Sequence, residues 1–423
     1  MSNSSHSYYL PFLQQHLEEV GDFRARYRRL LRARHVHWNQ LAKWEERHQL
    51  HLEALRFSRE SSLELARPLL DSEWEEEVFG GAATLLVCDE IEPVLGALVG
   101  IVPAPLREAL LDALFWHTGS GLAPRIWSLV ESSTEPKLRA ELLLLLGRRR
   151  EYAPAILQRA IQDEQPEVRA ASLLVGAWLA PDVVQPFLHR ALATPALEQA
   201  ALLALLEFEP RRGISLVRSC IRAGHHIETL LPALAAIGEP GDFELLQELL
   251  GGPHEPLALL AMGFHGSPKA LPVLATALEN GGSRRSLSAA LEAYSLMSGW
   301  EPDPVLFPEP EEDVTDDGEV LDEDEQSDRL ERDAHRDDLR ARALEHRQSN
   351  SRREFTSQRM RHGDPWSISR SLRDLELLGG MLRTWTFREL VLHTGQPALA
   401  DPESFHAQQV RALQHWARKI GQR

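Results

Sequence analysis

His48 and His51 stand three residues apart, a spacing that sets two imidazoles on one face of a helix. Neutral imidazoles are common metal ligands, so this pair is the first place to look for a metal. A metal centre inside a helix bundle draws Glu-x-x-His motifs from further helices. Such motifs from two further helices are absent, and His51 is expected as a buried or capping side chain. His35 and His37, two apart, would point to different helix faces, and His225–His226 fall at a turn where exposure is expected. No phosphate-binding Gly-x-x-x-x-Gly-Lys-Ser/Thr loop, dinucleotide Gly-x-Gly-x-x-Gly or nucleophile elbow Gly-x-Ser-x-Gly occurs. Carboxylate pairs such as Asp89–Glu90 are explained by helix starts and solvated faces. We assign no catalytic residue, no cofactor and no metal ligand from the sequence, and expect a protein that is not an enzyme.

Arginine runs offer binding rather than catalysis. Arg148, Arg149 and Arg150 follow one apolar helical stretch, and Arg211 and Arg212 occupy the same kind of turn further on. One reading is soluble turns. The other is a basic strip for an acidic partner, or for an acidic segment of the chain itself. Arg24, Arg26, Arg28, Arg29, Arg32 and Arg34 form a further cluster, read as a solvated helix face paired with nearby Glu, or else as a surface for an anionic partner.

The elements that position these residues recur. "LREALLDALFWHTG" begins at Leu106, "LRAELLLLLGRRRE" at Leu138, "VRAASLLVGAWLAP" at Val168 and "LEQAALLALLEFEP" at Leu197. "IETLLPALAAIGEP" begins at Ile227, "LALLAMGFHGSP" at Leu257 and "LSAALEAYSLMSGW" at Leu287, so successive offsets are 32, 30, 29, 30, 30 and 30. A fixed period of about 30 residues marks a solenoid. Each unit has a second apolar half, for example "YAPAILQRAIQDE" from Tyr152 and "DVVQPFLHRALAT" from Asp182. The unit is therefore helix, turn, helix. Pro136, Pro166, Pro195 and Pro181 stand at helix starts, where a missing N–H costs little. Pro232 is deeper, so a bend or late start is expected there. Gly147, Gly238 and Gly266 are read as helix stops. Leu143, Leu173, Leu202 and Leu260 should lie in the core.

The expected fold is all-α: an α-solenoid of helix pairs over residues 73–300, with a helical segment at 1–72 and another at 351–423. Between them, residues 301–350 change character. Fourteen Asp and Glu and no Lys or Arg fall within 301–328, which predicts a disordered acidic linker followed by a polar helix. The chain carries −17 in all, so everything outside that stretch carries only −3. Residues 102–300 hold 17 basic against 21 acidic side chains, which disfavours a phosphate backbone as ligand. No apolar run of about 18 residues predicts a membrane span. The first twenty residues lack the pattern of a secretory leader, and Cys88 and Cys220 lie in unrelated segments. These features fit a reducing cytoplasm.

A 30-residue helix pair resembles short bacterial HEAT-like repeats. "WEERHQLHLEALR" at 44–56 resembles the Asp-Glu-Arg…His-Leu-Asp-Gly-Leu-Arg signature of an uncharacterised bacterial HEAT-repeat family. Glu45, Glu46, Arg47, His51, Leu52, Glu53, Leu55 and Arg56 match or replace conservatively, with Ala54 where that family has Gly. "RHGDPWSISRSLRDLELLGGMLRTWTFRELVL" resembles its C-terminal segment. Genes of that family often lie beside type VI secretion clusters. The resemblance implies a cytoplasmic adaptor or chaperone-like accessory that binds a secretion component or effector, and it supplies no catalytic residue. Solenoids bind proteins along long concave faces, which second helices line in most such folds. Gln158, Arg159, His189 and Arg190 on second helices are therefore the expected contact residues, beside the arginine turns. The alternative class is a HEAT-like enzyme, acting on DNA bases or attaching tetrapyrroles.

Overall fold

The computed structural model describes residues 3–34, 36–100, 102–301, 323–349 and 358–421, with side chains for those from 9 to 34, 36 to 100, 102 to 301, 334 to 349 and 358 to 421. The fold is all-α. Among the described residues the only strands are Met360–Arg361 and Asp364–Pro365, an antiparallel pair joined by His362 and Gly363. Both joining residues have positive φ (51° and 78°), the conformation that a two-residue hairpin turn demands. Among the described residues no helix is long and apolar enough to cross a membrane.

Helix pairs follow the sequence period: Glu75–Val87 with Ile91–Val99, Ala104–Trp116 with Leu122–Ser132, Pro136–Arg148 with Pro154–Ala160, and Pro166–Leu179 with Pro181–Leu192. Glu198–Phe208, Pro210–Arg222, Ile227–Ile237, Asp242–Gln247, Glu255–His265 and Ala270–Asn280 follow in the sequence, and Arg284–Ser298 comes after them. Each helix has one apolar stripe and needs a neighbour to bury it. Pro136, Pro154, Pro166 and Pro181 occupy the first helical turns, as expected. The helix holding Pro232 begins at Ile227, so the late start is not found. Gly147 is not a stop either: it lies buried inside Pro136–Arg148, where a Cβ would come within 2.7 Å of Val175. Leu143, Leu173, Leu202 and Leu260 are all buried.

The chain forms two compact units. Residues 1–31, 38–208 and 397–415 make the first; 32–37, 209–396 and 416–423 make the second. The boundary thus falls inside the 73–300 repeat segment and not at its ends. In the first unit, the helices Ala104–Trp116, Pro136–Arg148, Pro166–Leu179 and Glu198–Phe208 stack in order. Asn3–Arg32 and Trp38–Phe57 lie antiparallel: Tyr27 meets Glu45, Glu19 meets Arg47 and His16 meets His51. Arg24, at 5% exposure, reaches Asp112 at 2.7 Å, and Arg28 reaches the same carboxylate at 2.8 Å. The amino-terminal arginine cluster is therefore in part a buried fastening to a repeat helix; Arg26, Arg29 and Arg32 remain exposed.

In the second unit, Ile227–Ile237, Glu255–His265 and Arg284–Ser298 stack as first helices. The helix Glu323–Ser349 packs on both Ala270–Asn280 and Arg284–Ser298. It stands where the last repeat would have its second helix. Its Leu339 and Ala343 are buried, and Arg340 donates to the terminal carbonyls of Leu278 and Glu279. The expected polar helix is thus a packed terminal layer, while the acidic linker at 302–322 lies outside the described residues. In the carboxyl-terminal segment, Trp385 and Trp416 are buried and Trp366 is half-buried.

Candidate functional site

Helices leave their last carbonyls unpaired, and a stack of repeats lines those ends up. In the second unit the hairpin segment 359–363 runs across them. The Met360 amide donates to the Gly266 carbonyl (2.7 Å), that of His362 to Leu296 (2.6 Å) and that of Gly363 to Met297 (2.8 Å). Gly266 and Gly299 end two of these helices with φ of 72° and 75°. A Cβ at Gly266 would sit 2.4 Å from the Met360 oxygen, and one at Gly299 would sit 2.7 Å from the His362 oxygen. Only glycine permits both the left-handed turn and the approach of the segment.

Two arginines complete the caps. Arg359 donates to the carbonyls of Ala236 (3.2 Å), Phe264 (3.2 Å) and His265 (2.8 Å), and to Glu389 (2.5 Å). Cations near helix carboxyl ends are favoured by the carbonyl dipoles. Arg361 donates to Phe264 O (3.1 Å), Asp374 (2.8 Å) and Glu389 (3.1 Å), and lies over the Phe264 ring. Ser371 donates to the second Glu389 oxygen (2.5 Å), and His362 lies 3.2 Å from Asp374. Burial raises both carboxyl pKa values, but the arginines and hydrogen bonds outweigh it and hold Asp374 and Glu389 below their ordinary range. Burial pulls Arg359 down to about 10, which leaves it charged at neutral pH. Arg359, Arg361, Ser371, Asp374 and Glu389 are tied to one another and to the helix-end carbonyls, so this network fastens helix ends.

Beside it lies an open depression of about 580 Å³ walled by Glu209, Pro210, Arg211, Arg212, Leu392 and His393. His393 Nε2 is 3.0 Å from Ala236 O and 3.4 Å from Arg359. Burial, and Arg359 after it, hold the His393 pKa down. Arg211 and Arg212 are exposed, but they lie in the first turn of the helix Pro210–Arg222 and not in the turn before it.

Arg148, Arg149 and Arg150 do not form the free basic strip envisaged from the sequence. Arg148 pairs with Asp401 (3.2 Å) and Glu403 (2.5 Å) and covers the Phe115 ring. Arg149 caps the helix Ala104–Trp116 by donating to the carbonyls of Leu114, Phe115 and His117. Arg150 donates to Ala400 O at 3.1 Å. The physical reason is again the row of unpaired helix-end carbonyls, together with carboxylates of segment 400–403. The Asp401 and Glu403 charges raise the Arg148 pKa against the effect of burial.

The expected second-helix residues Gln158, Arg159, His189 and Arg190 are all exposed. The helices that carry them, Pro154–Ala160 and Pro181–Leu192, are neighbours. Arg159 pairs with Glu131 of the preceding second helix, and Arg125 with Glu92 of the one before that. The row is laced by exposed ion pairs.

Within the 45–56 motif, Glu45 accepts from the backbone N–H of His406 (2.9 and 2.8 Å) and from Tyr27 Oη (2.5 Å). It caps the helix His406–Gly421. Leu55 is fully buried and Leu52 half-buried, Arg47 pairs with Glu19, and Glu46, Glu53 and Arg56 are exposed. His51 Nδ1 lies 2.8 Å from His16 Nδ1, so only one of these nitrogens can hold a proton. His48 stacks on Phe23 (centroids 3.9 Å apart), and burial lowers its pKa to about 3. The crevice beside His48 and His51 has about 10 Å³, room for one water at most. Among the described residues no group of three or more His, Cys, Asp or Glu is placed to hold a metal ion. His225 is exposed, His226 is half-buried at φ 52°, and His37 Nδ1 contacts Leu377 O; His35 lies outside the described residues.

Sequence reasoning missed Arg359, Arg361, Ser371, Asp374 and Glu389. The one local signal was the turn-forming His362–Gly363 dipeptide, and it says nothing of what the hairpin crosses. No protein-family model matches the chain, and neither a curated protein nor a solved structure matches it.

Proposed function

We propose that the chain is a non-enzymatic protein-binding scaffold, and that it contacts its partner through the second-helix face of its first unit. One observation carries this reading: the helix-end edges are occupied by the chain's own segments 359–363 and 400–403, while Gln158, Arg159, His189 and Arg190 stay exposed. A repeat stack offers a long surface of this kind by construction. The polar networks found are spent on helix capping and on buried pairing.

The more specific reading is a cytoplasmic adaptor or chaperone-like accessory of type VI secretion. It rests on the resemblance at 45–56. Glu45 and Leu55 have roles inside the fold there, while Glu46, Glu53 and Arg56 are exposed and open to a partner. The test is affinity capture from bacterial cells that carry such a cluster, followed by mass spectrometry. Recovery of one secretion component or effector, lost on Arg159→Glu with Arg190→Glu, supports the reading. Recovery that ignores those changes, or turnover of a substrate by the purified chain, contradicts it.

A further inference from the structure

The depression of the second unit lies against the most basic helix face among the repeats. Pro210–Arg222 carries Arg211, Arg212, Arg218 and Arg222 and no Asp or Glu. Its Gly213, Ile214, Val217 and Ile221 are buried, which leaves the arginines on the outer side. Arg218 is already held by Asp242 (2.5 Å) and Glu239. Arg211, Arg212 and Arg222 are exposed. Of these, Arg211 and Arg212 line the depression together with Pro210, Leu392 and His393. The one carboxylate in that wall, Glu209, lies 3.4 Å from Arg212, an exposed pair that solvent screens. Behind the wall, Arg359 and Arg361 are balanced by Glu389 and Asp374. The depression therefore keeps a net positive wall beside two apolar side chains.

We propose that this depression binds an acidic peptide segment of a partner protein, with Arg211 and Arg212 each taking a carboxylate. A guanidinium is a planar fork that matches a carboxylate with two parallel hydrogen bonds. Pro210 and Leu392 supply contact for an apolar side chain next to the acidic ones. The size agrees, since binding clefts for groups of this scale run to several hundred Å³. A nucleic acid fits less well. It needs a basic stripe along its backbone, whereas this patch is confined and residues 102–300 carry a net −4. The site rests on the scaffold reading and adds a second contact to it, in the other unit.

The test uses the full chain and a fluorescein-labelled twelve-residue peptide of Asp and Glu carrying one Phe, read by anisotropy. A single-stranded DNA of equal charge is run alongside. The expected result is saturable peptide binding that weakens at least tenfold in Arg211→Glu with Arg212→Glu, at an unchanged melting temperature. It should be untouched in Arg159→Glu with Arg190→Glu. No saturable binding, equal binding by the Arg211 and Arg212 variant, or tighter binding of the DNA overturns the proposal. So does peptide binding that emerges only after the acidic residues of 301–322 are replaced by Asn and Gln, because the occupant is then the chain's own segment. Loss of partner capture on the Arg159 and Arg190 changes, with no peptide binding, removes this site and leaves the scaffold reading standing.

Discussion

Arg361 and Asp374 form an ion pair at 2.8 Å in which neither side chain is exposed to solvent. A charge in that position is tolerated only while its partner is present, because the desolvation cost stays when the partner goes. Asp374→Ala should therefore destabilise the protein by about 3–5 kcal/mol. Replacing both residues by apolar ones of similar size should cost less than the single change. Urea unfolding of the three proteins measures this, and a single change without effect would mean that the pair is not buried in solution.

Acid should weaken the fold in two stages. His48, His265 and His117 have pKa values lowered by burial to about 3, about 4 and about 4. Unfolded, each takes a proton near pH 6.5, while folded it does not until far lower. The unfolded state then binds more protons, so stability is full above about pH 6.5 and falls as pH drops towards the folded values, by up to about 1.4 kcal/mol per pH unit for each histidine. Asp374 and Glu389, lowered from the ordinary carboxylate range, contribute stability that is present above the unfolded pKa and lost only as pH falls through the folded one. His48→Gln should flatten the slope of unfolding free energy between pH 6.5 and 4.5. A slope identical to the parent's contradicts the burial of that ring.

Leu173 sits at 1% exposure in the stacked helix Pro166–Leu179. Leu173→Ala should cost about 2–5 kcal/mol through lost burial and the cavity left behind. Thermal or urea unfolding reads it directly, and a value within error of zero shows that the helix faces the other way.

Gly266 should tolerate no side chain. Alanine there meets both a left-handed backbone and the Met360 oxygen 2.4 Å away, so Gly266→Ala should lose more than about 1 kcal/mol. Amide exchange at Met360, His362 and Gly363 should quicken in the variant. Unchanged exchange would show that the hairpin does not depend on this turn.

The repeat was legible because each unit states it again: Leu143, Leu173 and Leu202 recur at the same place in successive units and are buried together. Prolines at 136, 166 and 181 punctuated the helices because their missing N–H fits only near a helix start. What escaped was everything decided at long range. Arg148 and Arg150 look like a soluble turn until segment 400–403 supplies their partners, some 250 residues on, and Arg149 until the end of Ala104–Trp116 supplies its own. Glu45 reads as a family signature and serves as a cap for a helix that begins at His406. Arg359 and Arg361 flank Met360 in a polar stretch, and only the stacked helix ends explain their burial. Single-residue chemistry does not reveal a partner hundreds of positions away, and the 30-residue period reveals only the neighbouring repeat.

Quantitative capture tests whether the exposed second-helix row is the working surface. Wild-type protein and Arg159→Glu with Arg190→Glu are immobilised in equal amounts, checked for equal melting temperature and exposed to the same cell extract. One partner should be enriched on the wild type and depleted at least tenfold on the variant. The same partner retained on both contradicts it.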